Sequence, residues 1–235
     1  MKVVELLPCL HVLVFDHGQA YLWSDPDSLT LIDTGHAGSG ADIASAIRDL
    51  GRRSEELDRV ILTHWHPDHT GSAAEIAAWH DGVTILAHGA DAPVIRGEQA
   101  GPPPDLLDWE RPLYDRVEAA VPAAPPARVD QELADGQLLD FAGGAAVIAV
   151  AGHTEGSIAI HLPVHRVLFT GDTVANVNGQ TMLGVFNVDR ARAVDSLHTL
   201  AALDADLVLV GHGDPITSGG AARLRTAAAE ATVEG

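Results

Sequence analysis

Three histidines and one aspartate lie within the six residues His64, Trp65, His66, Pro67, Asp68 and His69. Imidazole nitrogens and carboxylate oxygens are good ligands for zinc and iron. A polar turn with incidental histidines is the alternative interpretation. However, the segment follows the apolar run RVIL and precedes Gly71, where a loop projects its side chains into one cleft. The spacing therefore predicts a metal site.

A related pattern returns three times, in which an apolar run is followed by a glycine and then by a metal-binding residue. It occurs in VIAVAGH, RVLFTGD and DLVLVGH, which end at His153, Asp172 and His212. The glycine before each ligand lets the backbone turn sharply without a side-chain clash. A single histidine after a strand is more often a capping or surface residue. Several strand ends of this kind predict ligands that converge at one edge.

The runs that carry these ligands predict two β-rich halves, each ending in helices. The first half opens with an antiparallel meander (VVELL, HVLVF, QAYLW, SLTLIDT) and continues with a helix at about 38–50 and the strand RVILTH. A helix at 71–80, the strand VTILAH and a short helix near Asp91 follow. The second half has strands in GQLLDF, AAVIAVAGH, SIAIHLP, RVLFTGD and DLVLVGH, with helices at about 189–203 and after Pro215. Helices outside two packed sheets give an α/β fold with four layers, αββα.

The whole chain, residues 1–235, is expected to form a single domain. Within it, the proline-rich segment at about 98–128 interrupts the pattern and is predicted to be an irregular lid or loop. Its apolar residues Leu106, Leu107, Trp109 and Tyr114 could line a substrate pocket. They could equally pin the loop onto the domain, and the sequence leaves both readings open.

Composition narrows the class of partner. Asp and Glu outnumber Lys and Arg by 33 to 14, and Lys2 is the only lysine. Such a chain repels polyanions, so a nucleic-acid partner is disfavoured and a small-molecule substrate is expected. No run approaches the roughly 18 apolar residues of a membrane span, and Glu5, Pro8 and His11 interrupt any signal-peptide core. With the single Cys9, these features favour a cytoplasmic protein without a membrane partner. They do not indicate an oligomeric state.

The motifs HWHPDH, AGHTEGS, FTGD and VGHG resemble the HxHxDH signature and downstream ligands of the metallo-β-lactamase fold superfamily, over most of the chain. The resemblance implies two metal ions, most simply Zn²⁺, although such ligands also suit iron and manganese. Asp33 in LIDTG corresponds to an aspartate that supports the site from behind the ligands; a plain turn aspartate is the alternative. The implied ligands are His64, His66 and His153 for the first ion, Asp68, His69 and His212 for the second, and Asp172 between them.

The resemblance further implies a hydrolase with a dinuclear site, in which a bridging hydroxide attacks a carbonyl polarised by one metal. Asp68 would be the catalytic residue, since it is placed to orient the nucleophile and to move its proton. No Ser-His-Asp or Cys-His arrangement is needed for this chemistry.

The sequence departs from the better-known branches of this superfamily, and these departures reduce the set of expected substrates. β-Lactamases of the superfamily generally lack the aspartate found here at 172, so β-lactam hydrolysis is expected only as a side activity. The short tail after His212, without lysine, departs from glyoxalase II, and Thr173 to Asn176 lack the tyrosine typical of acyl-homoserine lactonases. RNA-processing nucleases add large insertions that this chain does not show.

A small-molecule ester, thioester or lactone remains the expected substrate. An iron-dependent dioxygenase of the persulfide type is the alternative from a different class, as are flavin-partnered diiron reductases. Persulfide dioxygenases keep a single iron, and the diiron reductases usually place a glutamate in the first motif, where this chain has His66. A metal-binding fold without catalysis would predict lost ligands, and none is lost here.

Overall fold

The first of two sheets is seven-stranded and mixed. The computed structural model describes residues 1–233. The strands of this sheet, in their spatial order, are β1 Lys2–Leu7, β2 Leu10–Val14, β3 Gln19–Ser24, β4 Leu29–Ile32, β5 Leu57–Leu62, β6 Thr84–His88 and β7 Gln131–Leu133. The first four strands pair antiparallel through short connections, whereas β4 to β7 are parallel. The predicted meander is thereby confirmed.

Helices make the crossovers that parallel strands require. Those of this half are α1 Gly40–Asp49, α2 Pro67–Thr70, α3 Ala73–Ala77 and α4 Ala92–Ile95, with a single 3₁₀ turn at Ser54–Glu56. Helix α1 buries Ile43, Ala46 and Ile47 on one face, and Leu50 packs against the same core. This is the apolar face that the sequence predicts at helical spacing.

The second sheet is formed by the C-terminal half. Its strands are β8 Leu138–Leu139, β9 Ala145–Ala149, β10 Ile158–Leu162, β11 Val167–Val177, β12 Gln180–Leu183 and β13 Leu207–Gly213. The path β12-β11-β10-β9-β8 is antiparallel, and β13 pairs parallel to β11. The helices are α5 Arg111–Ala120, α6 Arg190–Ala201 and α7 Gly220–Glu230. The predicted α/β class, with two sheets and helices, is confirmed.

Two compact units divide the chain. One comprises Met1–Ala100 and Val121–Leu133, and the other comprises Gly101–Ala120 and the residues from Ala134 onward. Each unit contains one complete sheet. That the two form one domain stays a prediction.

Several elements depart from the sequence-based expectation. The segment at 98–128 is not irregular throughout, because α5 occupies ten residues of it. Pro112 stands at the second position of that helix, where its missing N–H is tolerated. The expected loop at Asp68 and His69 is the short helix α2, and the expected helix at 71–80 is only α3. Strand β7 is missed because it has only three residues. Strand β12 is also missed, although Asn178 and Gly179, both at positive φ, form the Asn-Gly pair that typically signals a hairpin.

Among residues 1–233, no helix has the length and apolar character needed to cross a membrane. The cytoplasmic location stays a prediction.

The buried face of the second sheet offers a direct test of the packing. Leu168 in β11 is fully buried within the core of this half, so Leu168→Ala should lower the free energy of unfolding by about 2–5 kcal/mol. Leu138→Ala is the control, because Leu138 is 76% exposed and its truncation should change stability by only about 0.5 kcal/mol. Urea denaturation of both variants measures the difference. Equal losses would contradict the assigned core.

Candidate metal centre

Four predicted ligands lie together in the first unit, just beyond the end of β5. His64 and His66 are on the loop after this strand, and Asp68 and His69 are in the following helix α2. The ligand atoms of His64 lie within 4.8 Å of those of both His66 and His69, and His69 Nε2 is 3.8 Å from Asp68 Oδ2. His64, Asp68 and His69 are buried. The side chains of the motif therefore form one compact group, and their role as metal ligands stays a prediction.

Gly71 allows α2 to lie close to the loop after β4. Its N–H donates to the carbonyl of Gly35 at 2.9 Å. A Cβ at this position would lie 2.2 Å from the backbone nitrogen of Ala37, so only glycine fits without displacing the backbone. The glycine after the histidine motif thus fixes the helix that carries Asp68 and His69.

Asp33 orients two of the histidines. It follows β4 with φ +60°, a conformation that Asp and Asn adopt more readily than most residues. Its Oδ1 accepts from the Thr63 N–H at 2.8 Å, and its Oδ2 accepts from the Thr63 hydroxyl at 2.8 Å and from His69 Nδ1 at 2.9 Å. The Thr63 hydroxyl in turn lies 3.0 Å from His64 Nδ1. The supporting role expected for Asp33 is confirmed for His69 and, through Thr63, extends to His64.

These hydrogen bonds determine the tautomers. A carboxylate can only accept, so the proton between His69 and Asp33 is assigned to His69 Nδ1. The Thr63 hydroxyl gives its own proton to Asp33 and therefore accepts from His64 Nδ1. In its neutral form, each imidazole then carries its lone pair on Nε2, the nitrogen with which a metal is bound in such triads.

The other three predicted ligands lie together in the second unit. His153 is on the loop between β9 and β10, and its Nε2 is 3.6 Å from Asp172 Oδ2. His212 Nε2 is 3.2 Å from the same carboxylate oxygen. His153 Nδ1 donates to the carbonyl of Val185 at 3.1 Å, which leaves the lone pair of His153 on Nε2 as well.

The expectation that every ligand follows the end of a strand is wrong for two of them. Asp172 lies within β11 and His212 within β13. The register between these strands shifts around Gly171, and Gly171 has φ +50°. Such bulges re-aim side chains without ending the strand. Gly211 lies in β13 and marks no strand end.

The donor chemistry of both groups fits a cation. In the first unit, the Nε2 lone pair of His69 faces a carboxylate oxygen of Asp68; in the second, the Nε2 lone pair of His153 faces Asp172. Two electron-rich atoms at these distances repel each other unless a proton or a metal ion lies between them. Nitrogen with carboxylate oxygen is a donor set that suits zinc, iron and manganese.

The cysteine is remote from this chemistry. Cys9 is a free thiol on the turn between β1 and β2. Burial raises the pKa of the Cys9 thiol, which disfavours the reactive thiolate. The site chemistry therefore depends on imidazoles and carboxylates.

The sequence did not indicate two groups that hydrogen-bond to candidate ligands, the Thr63 hydroxyl and the Val185 carbonyl. The Thr63 hydroxyl could have been suspected, because it directly precedes His64. The Val185 carbonyl could not, because a backbone acceptor has no side-chain signature.

Known proteins are similar to this chain in sequence and in fold. A model of the metallo-beta-lactamase superfamily matches residues 13–212, a range that contains all seven predicted ligands. A probable metallo-hydrolase, YflN of Bacillus subtilis, is 31% identical over 83% of this chain and 78% of its own length. A hydroxyacylglutathione hydrolase of Ruegeria pomeroyi is 32% identical over 89% of this chain but only 66% of its own length. Two proteins named as thioesterases also match, at 29% and 27% identity.

Solved structures agree on the fold. A metallo-beta-lactamase family protein of Thermus thermophilus superimposes with a TM-score of 0.71 at 23% identity, over 96% of this chain and 79% of the other. An identity this low supports the fold alone, and the predicted fold type is confirmed.

The role of Asp33 can be tested with Asp33→Asn. Asparagine also tolerates φ +60°, but its amide offers one acceptor oxygen where the carboxylate offers two. The imidazole of His69 should lose its fixed orientation, and zinc affinity should fall by about 10–100-fold. Competition with a chromophoric chelator measures this change.

Asp130→Asn is the control in the same unit, because the Asp130 carboxylate accepts from the Ile85 N–H at 2.8 Å but supports no ligand. It should leave zinc affinity unchanged. An equal loss in both variants would contradict the special role of Asp33.

Proposed function

We propose that this chain, which belongs to the metallo-β-lactamase superfamily, is a metallo-hydrolase that holds two metal ions and cleaves a small-molecule ester, thioester or lactone. The repeated pairing of an imidazole lone pair with a carboxylate oxygen, once in each unit, carries the proposal. The superfamily match and the metallo-hydrolase among the relatives support hydrolysis as the reaction.

The proposed ligand sets follow the motifs. One ion would be held by His64, His66 and His153, a second by Asp68, His69 and His212, and Asp172 would serve both. The support comes from three observations: each motif lies in the matched family region, the residues of each unit lie together within that unit, and three imidazoles have their Nδ1 atoms held by acceptors. Zinc is the metal we propose first, because such ligands suit it and it needs no redox partner.

Bound divalent ions supply electrophilic activation of a carbonyl and ionise a water molecule near neutral pH. Side chains of the protein would have the remaining roles. Asp33 and Thr63 keep Nδ1 of His69 and His64 protonated, so that Nε2 remains a ligand atom. Asp68 is 7% exposed and is proposed to orient the attacking water and to hold its proton. Asp172 Oδ2 lies 3.2–3.6 Å from Nε2 of two imidazoles, and its negative charge would offset part of the positive charge of the bound ions.

Thioesters are the substrate class that the relatives favour. A hydroxyacylglutathione hydrolase and two thioesterases are among them. The chain spans about two thirds of the hydroxyacylglutathione hydrolase, and neither of the two thioesterases is named for glutathione. We therefore propose an acyl thioester without a requirement for glutathione.

We extend the proposal to the type of substrate and to the location in the cell. With a formal net charge of −19, the chain should act on a small molecule and not on a nucleic acid. A cytoplasmic location without a membrane partner is part of the same proposal.

Metal content provides the first test. Purified wild-type protein should contain about two equivalents of metal, and His69→Ala and Asp172→Ala should each reduce this toward one and abolish hydrolysis. His161→Ala is the control, because His161 lies outside both groups and contacts the carbonyl of Asp204; it should keep both metals and full activity. Elemental analysis and hydrolysis assays measure the outcome. Two unchanged variants would contradict the two-metal proposal.

A substrate panel provides the second test. Acyl thioesters of glutathione and of N-acetylcysteamine should be hydrolysed at similar kcat/KM, and p-nitrophenyl esters and lactones more slowly. Nitrocefin and bis-p-nitrophenyl phosphate should be poor substrates. Dipicolinate should remove the activity and added zinc should restore it. Oxygen uptake with a persulfide by iron-loaded protein, without thioester hydrolysis, would instead establish the dioxygenase alternative.

A further inference from the structure

Glu110 is a buried carboxylate outside the proposed ligand set. It is 1% exposed and lies just before α5 in the proline-rich segment. Its Oε2 accepts from the Leu107 N–H at 2.9 Å, its Oε1 accepts from the Phe186 N–H at 3.3 Å, and Arg190 Nη1 lies 3.8 Å away. A buried carboxylate is retained only where such partners offset its desolvation. Glu110 therefore ties the proline-rich segment to residues 186–190.

Residues 184–189, between β12 and α6, lie against two proposed ligands of the same unit. The Val185 carbonyl accepts from His153 Nδ1 at 3.1 Å, and the Val188 N–H donates to the His153 carbonyl at 3.2 Å. Gly184 packs so closely on Asp172 that a Cβ would lie 1.8 Å from the Asp172 carbonyl oxygen. The path of this loop thus determines the acceptor that orients His153.

Phe186 sits in this loop with a left-handed backbone, at φ +61°. Bulky residues seldom adopt this conformation, and they keep it only where their surroundings hold them. Two contacts come from the proline-rich segment: the Glu110 carboxylate accepts the Phe186 N–H, and the Tyr114 ring packs edge-on at 5.2 Å between centroids. Tyr114 therefore holds the proline-rich segment against this loop. Trp109 does not have this role to the same extent, because its side chain is 56% exposed.

The geometry points to Glu110 as a positioning residue for His153. By holding Phe186 in its left-handed conformation, Glu110 keeps the adjacent Val185 carbonyl on His153 Nδ1, and His153 Nε2 is thereby fixed beside Asp172. Loss of the Glu110 carboxylate lets Phe186 relax and withdraws the acceptor from the imidazole. This inference rests on the proposed function, because it takes His153 as a metal ligand.

The test is Glu110→Gln in the full chain. Glutamine matches the shape of glutamate, but it has an NH₂ group where glutamate has its second oxygen. The N–H groups of Leu107 and Phe186 bond to different oxygens of Glu110, so one of them would lose its acceptor. Two readouts are needed. Imidazole ¹⁵N NMR of metal-free protein reports the tautomer of His153, which should be the Nδ1–H form in the wild type and mixed in the variant. Zinc competition should show that the affinity of the site containing His153 is reduced by about 10–100-fold.

A rescue separates positioning from a general structural role. Glycine adopts φ +61° without strain, so Glu110→Gln should cost less zinc affinity in a Phe186→Gly background than in the wild type. Asp206→Asn is the control: the Asp206 carboxylate pairs with Arg166 in the same unit, away from the loop. This variant should change neither readout.

The inference is overturned if Glu110→Gln leaves both the His153 tautomer and the zinc affinity at wild-type values, or if Phe186→Gly gives no rescue. If Glu110→Gln does not fold, Tyr114→Leu removes the other contact on Phe186 and should shift both readouts in the same direction, and no shift overturns the inference. A His153 tautomer that shifts in Glu110→Gln, together with wild-type protein that binds no zinc, would refute the proposed function while supporting the positioning role.

Discussion

A histidine binds a metal ion more firmly when its second ring nitrogen is held by a hydrogen-bond acceptor, because that bond fixes both the tautomer and the direction of the lone pair. Three different acceptors hold proposed histidine ligands in this chain. Asp33 holds His69, the Thr63 hydroxyl holds His64, and the Val185 carbonyl holds His153. Much of the local backbone follows from placing these acceptors.

Two residues that help to place these acceptors have strained backbone conformations. Asp33 and Phe186 are both non-glycine residues at φ near +60°, a conformation that typically costs about 1–3 kcal/mol per residue. Each is held by hydrogen bonds to buried partners: Thr63 and His69 for Asp33, and Glu110 for Phe186. Two of the non-glycine residues at positive φ thus contact proposed ligands or the loop that holds one, where the backbone sets the direction of the side chains.

The ligands could be predicted from the sequence because side-chain chemistry and strand patterns are both local. RVIL before His64 and VIAVAGH before His153 are strand ends, so the loops after them carry the ligands, as expected. For Asp172 and His212 the expected position after a strand end is wrong, since both lie inside strands whose register shifts at Gly171, although the two side chains do lie together.

The supporting contacts could not be predicted in the same way. Glu110 is one acidic residue among many in a proline-rich stretch, and only the fold shows that it is buried against Phe186, 76 positions away. Helix α5 was hidden by the prolines around it, and none of its residues is buried, so it does not contribute to a core as α1 does. Long-range packing, and not local propensity, determines these features.

The central claim is that the seven side chains together bind two metal ions. Crystals of zinc-loaded protein, measured on both sides of the zinc absorption edge, test it most directly. We expect two separate anomalous peaks, one beside His64, His66 and His153 and the other beside Asp68, His69 and His212, with Asp172 next to both. A single peak, or peaks away from these residues, would contradict the claim.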